Sequence, residues 1–448
     1  MKRSTRRKIF YGSIVFFLLA CVGVLFYAQG YDFDPSSGHV SKTGGVSLAS
    51  NVSAEVYLDD KLVGSTSLLQ HSFSQSRLLP GKHRVELRKT DYQTWSKEFV
   101  VSAGFVFDLG EAFLPRSQAV SEVLLPNIKL VSYSSTDDYL AGWVGSDLTF
   151  YDLNKRQVVL AITEQEAINP AKLSIIWSGD NQNALVYDNK LSWLVDLGAQ
   201  TYRAITVPRT LLSSGTKLLG NRLYGLGNEK NTVNNLVYYD FSKASVGTIS
   251  TGVNSFLVDG DSLFFTDIAS STLWQVRPNN QDSLTLLSPN RLPAGAKLRK
   301  LVSTNVTTMV LTDAGLFQID SDGKIKRLTE AADDFALSPD QSALVWSSNE
   351  ELWMMVLKDN SLRSELITGK PVFLFHKGER IDDLFWLNNQ YLYLVSATGL
   401  DLVEAVSQTQ PVVDQLVGKN SEINSIVFPT NREKLIWFNG ARLESAEF

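Results

Sequence analysis

Apolar positions follow two different patterns along the chain. From residue 44 onward they alternate with polar residues or form runs of four to six, which is typical of β-strands. Residues 9–28, IFYGSIVFFLLACVGVLFYA, instead form twenty positions without a charged side chain. At about 1.5 Å of rise per residue, such a helix matches a hydrocarbon core of about 30 Å. The pattern predicts one N-terminal transmembrane helix followed by an all-β body.

Charge orients the predicted helix. Residues 1–8, MKRSTRRK, contain five basic and no acidic residues, so the other 440 residues carry a net charge of −10. We expect the basic tail to stay in the cytoplasm, with the N-terminus inside and the bulk of the chain extracytoplasmic. A cleaved signal peptide is the alternative, although its apolar region is typically only about 7–15 residues long. The acidic body argues against a nucleic-acid partner, which would require clustered Lys and Arg.

The single cysteine, Cys21, lies within the predicted span. It is either a thiol buried in the membrane or, because Leu-Leu-Ala-Cys is similar to a lipoprotein cleavage box, a lipidation site. The predicted outside portion has no cysteine and must fold without disulfides. This favours a bacterial cell envelope over a secreted eukaryotic protein.

Residues 29–43, rich in Gly and Ser, are interpreted as a stalk. Strand-like alternation then predicts a β-sandwich over residues 44–113. In AEVYL, Ala54 and every second residue after it share one face of a predicted strand. In a later predicted strand, Val85 and Leu87 likewise share one face. Asp59-Asp60 and Pro80-Gly81 are turn pairs. Tyr92 and Trp95 are expected at the edge of the same core.

This region resembles a PEGA domain. Ten positions carry the resemblance: Val56, Tyr57, Asp59, Gly64, Thr66, Pro80, Gly81, His83, Lys89 and Tyr92. Asp60 and Asp91 stand where Gly is usual in that family, and Ser67 replaces a Pro. Because Asp tolerates positive φ better than most residues, we expect both turns to survive. The resemblance implies an extracellular β-sandwich of surface proteins, with a role in display or binding.

An aromatic-rich run recurs through the rest of the chain. Its eight occurrences start 36 to 48 residues apart: YLAGWV at 139, ALVYD at 184, RLYGL at 222, SLFFT at 262, TTMVLT at 307, ALVWSS at 343, YLYLVS at 391 and KLIWF at 434. Most runs have one predicted strand before them and two after them. This spacing is typical of four-stranded propeller blades, so residues 118–448 are predicted to form a β-propeller.

The last repeat contains only three strands before the chain stops at Phe448. We expect residues 119–125, AVSEVLL, to supply the fourth strand and to hide the open edge of the ring. The count then closes at eight blades. Seven is the alternative, if the repeat containing GLGNEKNTVNN is an insertion.

The segment Ser338-Pro339-Asp340-Gln341 resembles the Ser-Pro-Asp-Gly turn of TolB-type and WD40-like propellers, with Gln341 where Gly is usual. A resemblance to a superfold does not transfer function. It implies the type of fold alone.

Candidate chemistry is sparse. The four histidines, at 39, 71, 83 and 376, have no metal-ligand spacing, and no nucleophile elbow, P-loop or dinucleotide motif is present. Three acidic pairs, at 137–138, 333–334 and 382–383, could face the channel as glycosidase carboxylates do, or could serve turns locally. We therefore assign no catalytic, cofactor-binding or metal residue and expect no cofactor.

Two functional hypotheses remain. The first is a membrane-anchored, non-enzymatic binding or scaffolding protein of a bacterial cell envelope, whose ligand is a cell-wall glycan or a surface protein. The alternative is an envelope glycan hydrolase or lyase that uses carboxylates of the propeller channel.

Overall fold

The fold is described from a computed structural model of the 448-residue chain. The structure describes every residue except 1–2, 35–37, 119, 164–172, 213–214, 229–233, 279–282, 305–306, 360–362, 364–365, 407–411, 418–424, 428–433 and 448. Residue 119, the first of the predicted closing strand, lies outside the described residues.

One long apolar helix begins the described chain. Helix α1 spans Arg3–Ala28, and its segment Phe10–Ala28 has a mean hydropathy of 2.2 and is not buried within the protein. Its length and composition suit either a membrane span or a signal sequence.

The predicted stalk is more ordered than expected. A short antiparallel hairpin follows the helix, made of β1 (Tyr31–Asp34) and β2 (His39–Lys42). The Thr43 backbone N–H and side-chain hydroxyl both donate to the carbonyl oxygen of Gly30, each over 2.7 Å. The chain that leaves the helix is therefore tied directly to the chain that enters the next domain.

Seven strands then form two sheets around one apolar core. The strands are β3 (Gly44–Ser50), β4 (Glu55–Leu58), β5 (Lys61–Ser65), β6 (Ser72–Leu78), β7 (Gly81–Arg88), β8 (Trp95–Val101) and β9 (Val106–Ala112). One sheet has the order β6-β3-β9 and the other β5-β4-β7-β8. Val46, Val56, Val85 and Leu87 of the core are fully buried, as their alternation with polar neighbours predicts. We call this domain the sandwich.

The sandwich has two distinct ends. Pairing places Gly44, Leu78, Gly81 and Val101 at the end nearer helix α1. The opposite end carries the last residues of β3 and β9 and the first of β8. Seven residues of strand separate the two ends by about 20 Å.

Trp95 differs from its expected position at the edge of the core. It is only 1% exposed. The reason is non-local: the side chain of Tyr391, nearly 300 residues later, covers this edge and accepts a hydrogen bond from the Trp95 indole over 3.1 Å.

Three turns in which another residue stands where the resembled motifs have Gly keep the conformation that Gly would adopt. Asp60, Asp91 and Gln341 have φ values of 66°, 68° and 57°. Asp59 has φ 49°, so the two residues between β4 and β5 both have positive φ, as a type I′ hairpin turn requires. The expectation that these turns survive without Gly is met.

The rest of the described chain forms eight four-stranded antiparallel sheets. Sheet 1 contains β11 (Ile128–Tyr133), β12 (Tyr139–Val144), β13 (Asp147–Asp152) and β14 (Gln157–Ile162). Sheet 2 contains β15 (Ser174–Trp177), β16 (Asn183–Tyr187), β17 (Ser192–Asp196) and β18 (Thr201–Ala204). Sheet 3 contains β19 (Lys217–Leu219), β20 (Arg222–Asn228), β21 (Asn234–Asp240) and β22 (Ser245–Thr251), and a 3-10 turn, Arg209–Leu211, precedes it. Sheet 4 contains β23 (Val253–Asp259), β24 (Ser262–Asp267), β25 (Leu273–Arg277) and β26 (Ser283–Leu286).

The remaining sheets continue the order. Sheet 5 contains β27 (Leu298–Ser303), β28 (Thr307–Thr312), β29 (Gly315–Asp320) and β30 (Ile325–Thr329). Sheet 6 contains β31 (Asp334–Leu337), β32 (Ala343–Ser348), β33 (Glu351–Val356) and β34 (Pro371–His376). Sheet 7 contains β35 (Ile381–Trp386), β36 (Tyr391–Ser396), β37 (Gly399–Glu404) and β38 (Val413–Val417). Sheet 8 contains β39 (Ser425–Val427), β40 (Leu435–Phe438), β41 (Arg442–Glu447) and, from the segment before sheet 1, β10 (Val120–Pro126).

Sheet 8 joins the two ends of the body. Strand β10 pairs antiparallel with β41, in a register that sets Val123 opposite Glu444. The repeat that contains GLGNEKNTVNN supplies the complete four-stranded sheet 3, of which residues 229–233 lie outside the described residues.

Apolar clusters connect the eight sheets in a closed circuit. Each cluster contains buried side chains from two neighbouring sheets, starting with sheets 1 and 2 and continuing to sheets 7 and 8. An eighth cluster returns from sheet 8 to sheet 1 through Leu443 and Ile128. A ring of four-stranded sheets joined face to face is the arrangement of a β-propeller.

The first strand of each sheet lies at the inside of the ring. First strands of neighbouring sheets contact each other, as β23 does β27 and β31 does β35. Fourth strands such as β18 and β26 are largely exposed and form the rim. Because sheet 8 has the order β10-β41-β40-β39, its borrowed strand β10 lies at the rim.

Replacing Gln341 by Gly tests the inference from positive φ. A left-handed conformation costs a non-Gly residue about 1–2 kcal/mol, while Gly loses more conformational entropy on folding. We expect Gln341→Gly to raise the free energy of unfolding by about 0.5–1 kcal/mol in urea titration. The matched variant Gln157→Gly, at an exposed strand position, should lower it by about 0.5–1 kcal/mol. If Gln341→Gly and Gln157→Gly lowered the free energy of unfolding equally, the inference that the backbone of Gln341 is strained would be wrong.

Candidate functional site

The three acidic pairs of the sequence make different contacts in the structure. Asp138 accepts hydrogen bonds from Thr136 and from the Asn154 amide, and Asp333 accepts one over 2.7 Å from the backbone N–H of Asn349. These two carboxylates organise turns, as the alternative interpretation of the pairs expected. The second member of each later pair, at positions 334 and 383, takes part in a different arrangement.

Asp334 and Asp383 meet on the inner strands of the ring, together with Lys300. Each of the three residues comes from the first strand of a successive sheet, β27, β31 and β35. The Lys300 ammonium lies 2.6 Å from Asp334 Oδ1, and Asp383 is within hydrogen-bonding range of Asp334. We call this trio the inner carboxylate cluster. It ties sheets 5, 6 and 7 together beside the ring axis.

One proton is held within this cluster under mildly acidic conditions. Burial, followed by the negative charge of Asp334, raises the pKa of Asp383 to about 6, although the Leu384 N–H and Lys300 act in the opposite direction. Two carboxylates this close repel each other when both are ionised, so protonation of Asp383 relieves the repulsion. Glycosidase carboxylates, by contrast, flank a sugar at separations of about 5 Å or more.

A cleft opens between sheets 5 and 6, away from the inner carboxylate cluster. Its volume is about 260 Å³. The lining residues are Thr304, Thr307, Gln318, Asp320, Ser321, Leu337, Gln341, Leu357 and Lys358. All of them belong to the ends of strands or to the loops that join first to second and third to fourth strands, and these loops share one face of the ring. We call this the loop cleft.

The loop cleft is chemically mixed. The Thr307 hydroxyl donates to the backbone carbonyl of Ile319, and the Asp320 carboxylate accepts from the Gln318 amide over 2.8 Å. Hydroxyl, amide and carboxylate groups thus stand beside the apolar side chains of Leu337 and Leu357. A few fixed polar groups against apolar walls are what small-ligand sites present.

The sandwich docks on the same face of the ring, at sheet 7. The Tyr391 hydroxyl accepts hydrogen bonds from the Trp95 indole and from the backbone N–H of Phe113, at 3.1 and 3.2 Å. The Lys97 ammonium lies 2.7 Å from the Glu404 carboxylate, and both side chains are at least nine-tenths buried. A buried ion pair persists only when its partners are held in register, so this contact fixes the relative position of the two domains.

Gln390 completes the docking contact by bonding in both directions. Its amide oxygen accepts from the Glu111 backbone N–H over 2.8 Å, and its amide nitrogen donates to Glu404 over 3.0 Å. Burial and, to a smaller extent, the negative charge of Glu404 raise the pKa of nearby Asp414 to about 6. We call the contact through Trp95, Lys97, Gln390, Tyr391 and Glu404 the docking interface.

Arg363 links sheet 6, which borders the loop cleft, to sheet 7, which carries the docking interface. It is 2% exposed and donates to the carbonyl oxygens of Ala405 and Asn389 and to the hydroxyl of Ser342. Burial lowers its pKa to about 10, so it stays charged at neutral pH. The Ser-Pro-Asp-Gln turn packs beside it, where the Asp340 backbone N–H donates to the Asn389 side chain over 3.0 Å.

The remaining residues singled out from the sequence are held locally. His83 contacts the Asp59 carboxylate through Nδ1 and the Leu79 carbonyl oxygen through Nε2, at 2.7 and 2.8 Å. His376 is exposed and lies 3.2 Å from Glu350. Within the described residues, no group of three or more His, Cys, Asp or Glu side chains is arranged to hold a metal ion.

Sequence reasoning missed the docking interface and the loop cleft. Trp95 was noted as an apolar residue, but Lys97, Gln390 and Glu404 carry no local motif. Their partners lie about 300 residues away along the chain. The local signal for a buried charge is that Glu404 is the last residue of the apolar strand β37 and is followed by Ala405.

Comparisons with known proteins found remote structural similarities. No protein-family model matches the chain, and no curated protein matches it. The WD40 domain of SCAP from fission yeast is 12% identical with a TM-score of 0.42, covering 74% of this chain and 98% of that one. The extracellular domain of the putative one component system BT4673 from B. thetaiotaomicron is 14% identical with a TM-score of 0.39, covering 74% and 40%. A eukaryotic initiation factor is 11% identical with a TM-score of 0.45, covering 82% and 96%.

These neighbours share a remote structural similarity with the chain. At such identities and scores they carry no argument about a ligand or an activity. The PEGA resemblance, the TolB resemblance and the bacterial origin stay predictions.

Replacing Asp383 by Asn tests the inner carboxylate cluster. Because its pKa in the folded protein is raised, ionisation of Asp383 opposes folding, fully above about pH 6 and not at all below about pH 4. Asp383→Asn should therefore raise the free energy of unfolding by about 1–2 kcal/mol at pH 7.5. The gain should vanish at pH 4, as measured by urea titration at both pH values.

The adjacent, exposed Asp382 supplies the control. Asp382→Asn should leave the free energy of unfolding within about 0.5 kcal/mol of the wild-type value at both pH values. A gain at pH 7.5 that persists at pH 4 in Asp383→Asn would refute the raised pKa of Asp383 in the cluster.

Proposed function

We propose that this chain is a membrane-anchored binding or scaffolding protein of a bacterial cell envelope. Helix α1 anchors it with the N-terminus in the cytoplasm, and a PEGA-type sandwich carries an extracytoplasmic propeller. Each of the eight four-stranded sheets is one blade. Cys21 stays within the membrane as part of the anchor.

The docking interface is the observation that carries the proposal. Its buried ion pair and the shared hydroxyl of Tyr391 hold the ring in one position on the sandwich. The sandwich in turn is tied to the residues that leave helix α1. A rigid connection of this kind holds one face of the ring in a fixed orientation. An enzyme that only has to stay near the membrane does not require a fixed orientation of the ring on the sandwich.

The loop cleft is the proposed binding site. Its volume of about 260 Å³ suits one sugar ring or a short polar peptide segment. Hydroxyl, amide and carboxylate groups beside leucine side chains match the alternating polar and apolar faces of a carbohydrate. A cell-wall glycan is therefore the ligand class proposed first, and a surface protein is the competing outcome.

The contact within the inner carboxylate cluster favours binding over glycan hydrolysis. Asp334 is neutralised by Lys300 at 2.6 Å, and Asp383 lies against Asp334. A pair in contact leaves no room for a sugar between its members. The hydrolase or lyase alternative predicts that the chain releases new reducing ends from a bound glycan.

Binding by the full chain in detergent micelles tests the proposal. A glycan array and an array of surface-protein peptides should reveal saturable binding to one class. Ser321→Trp fills the loop cleft from an exposed loop position and should weaken that binding at least about tenfold. Ser146→Trp, on an exposed loop of the opposite face, should leave affinity unchanged.

Three results would count against the proposal. Equal affinity of the two tryptophan variants would remove the loop cleft as the site. If the chain bound to neither the glycan array nor the peptide array, the proposed binding role would be wrong. Release of new reducing ends from a bound glycan, lost in Asp383→Asn, would establish the enzymatic alternative instead.

A further inference from the structure

The end of the sandwich nearer helix α1 exposes apolar and basic side chains around the end of the helix. Phe105, on the loop that enters strand β9, is 72% exposed, and Val106, the first residue of that strand, is 65% exposed. On the neighbouring hairpin, Phe33 and Val40 face each other across the strands and are 57% and 58% exposed. Large apolar side chains clustered in this way usually mark an interaction surface.

Short contacts place these side chains at the level of the helix terminus. Thr43 hydrogen-bonds Gly30, two residues beyond the helix, and the Thr43 carbonyl oxygen accepts from Gly104 over 2.9 Å. The Phe105 carbonyl oxygen accepts from Gly45, also over 2.9 Å. Two hydrogen bonds thus separate the Phe105 loop from the residue where the apolar helix has just ended.

The helix terminus itself contacts the sandwich. The Arg77 guanidinium lies 3.4 Å from the ring centre of Tyr27, in the last turn of α1, and Tyr31 packs edge-on against Phe26 with ring centres 5.4 Å apart. Exposed Lys42 lies over Gly104 on the same side. Tyrosines with nearby Arg and Lys are typical of the layer where a bilayer meets water.

We propose that this end of the sandwich rests in the lipid headgroup layer, with Phe105 and Phe33 inserted at its apolar boundary. The surface comprises Phe33, Val40, Lys42, Arg77, Phe105 and Val106. The headgroup layer extends about 5–7 Å beyond the hydrocarbon core on each side, which is the height at which these residues meet the end of α1. The partner is the bilayer that the helix enters, with anionic headgroups facing Lys42 and Arg77.

This inference rests on the proposed anchoring by helix α1 and adds a second contact to it. A helix alone leaves its cargo free to tilt and rotate about the chain that follows. A docked sandwich end, coupled to the docking interface about 20 Å away at the other end, would fix the face of the ring relative to the membrane.

Position-specific quenching in vesicles tests the inference with the full chain. Cys21 is replaced by Ser, and a single Cys carrying an environment-sensitive dye is placed by Phe105→Cys, Phe33→Cys or Leu69→Cys. Leu69 is 96% exposed and lies beyond the opposite end of strand β6, which makes it the matched apolar control. The vesicles contain phosphatidylcholine and phosphatidylglycerol, with a nitroxide on the lipid headgroup or iodide in the water.

We expect the headgroup nitroxide to quench the dye at 105 and 33 at least about twofold more than at 69, and iodide to show the reverse order. Equal access of iodide to all three positions would overturn the inference. In parallel, the wild-type chain labelled at Cys21 reports the anchor through a nitroxide deep in the acyl chain. Quenching at Cys21 without quenching at 105 would reject the docked surface alone, and no quenching at Cys21 would reject the anchor itself.

Discussion

The pairing of β10 with β41 is the constraint on which the rest of the structure depends. Without this pairing, sheet 8 would have only three strands, and no strand would join the segment before sheet 1 to the last sheet of the ring. By borrowing a strand that precedes sheet 1, the chain completes the sheet and brings its first and last parts together. The apolar cluster between sheets 8 and 1 then closes the circuit of packing.

This closure also determines where the sandwich can sit. The sandwich ends at β9, a few residues before β10, so it must emerge beside sheet 8 and its neighbours. Phe113 packs into the cluster between sheets 7 and 8, and Gln390 and Glu404 meet the sandwich directly. Buried polar groups at such a boundary are stable only when all find partners, and the docking interface satisfies Trp95, Lys97 and Glu111 together.

Local pattern predicted the strands well because each strand carries its own signature. The recurring aromatic runs coincide with β12, β16, β20, β24, β28, β32, β36 and β40. Asp60, Asp91 and Gln341 adopt positive φ because their turns demand it, whatever residue occupies them. The docking interface, Arg363 and the loop cleft could not be predicted, because they arise where segments distant in sequence meet. Asp334 and Asp383 illustrate the limit: their sequence pairs were visible, but only the ring shows that one member of each pair joins Lys300.

A cross-link between β10 and β41 measures the closure most directly. In a Cys21→Ser background, Val123→Cys and Glu444→Cys place two cysteines at paired, solvent-accessible positions on neighbouring strands. The account predicts a disulfide in nearly all molecules under mild oxidation and a higher urea midpoint after it forms. The pair Val123→Cys with Glu330→Cys, on a different sheet, should not cross-link. If the 123–444 disulfide did not form, or if both pairs cross-linked equally, the closure of the ring by strands β10 and β41 would be contradicted.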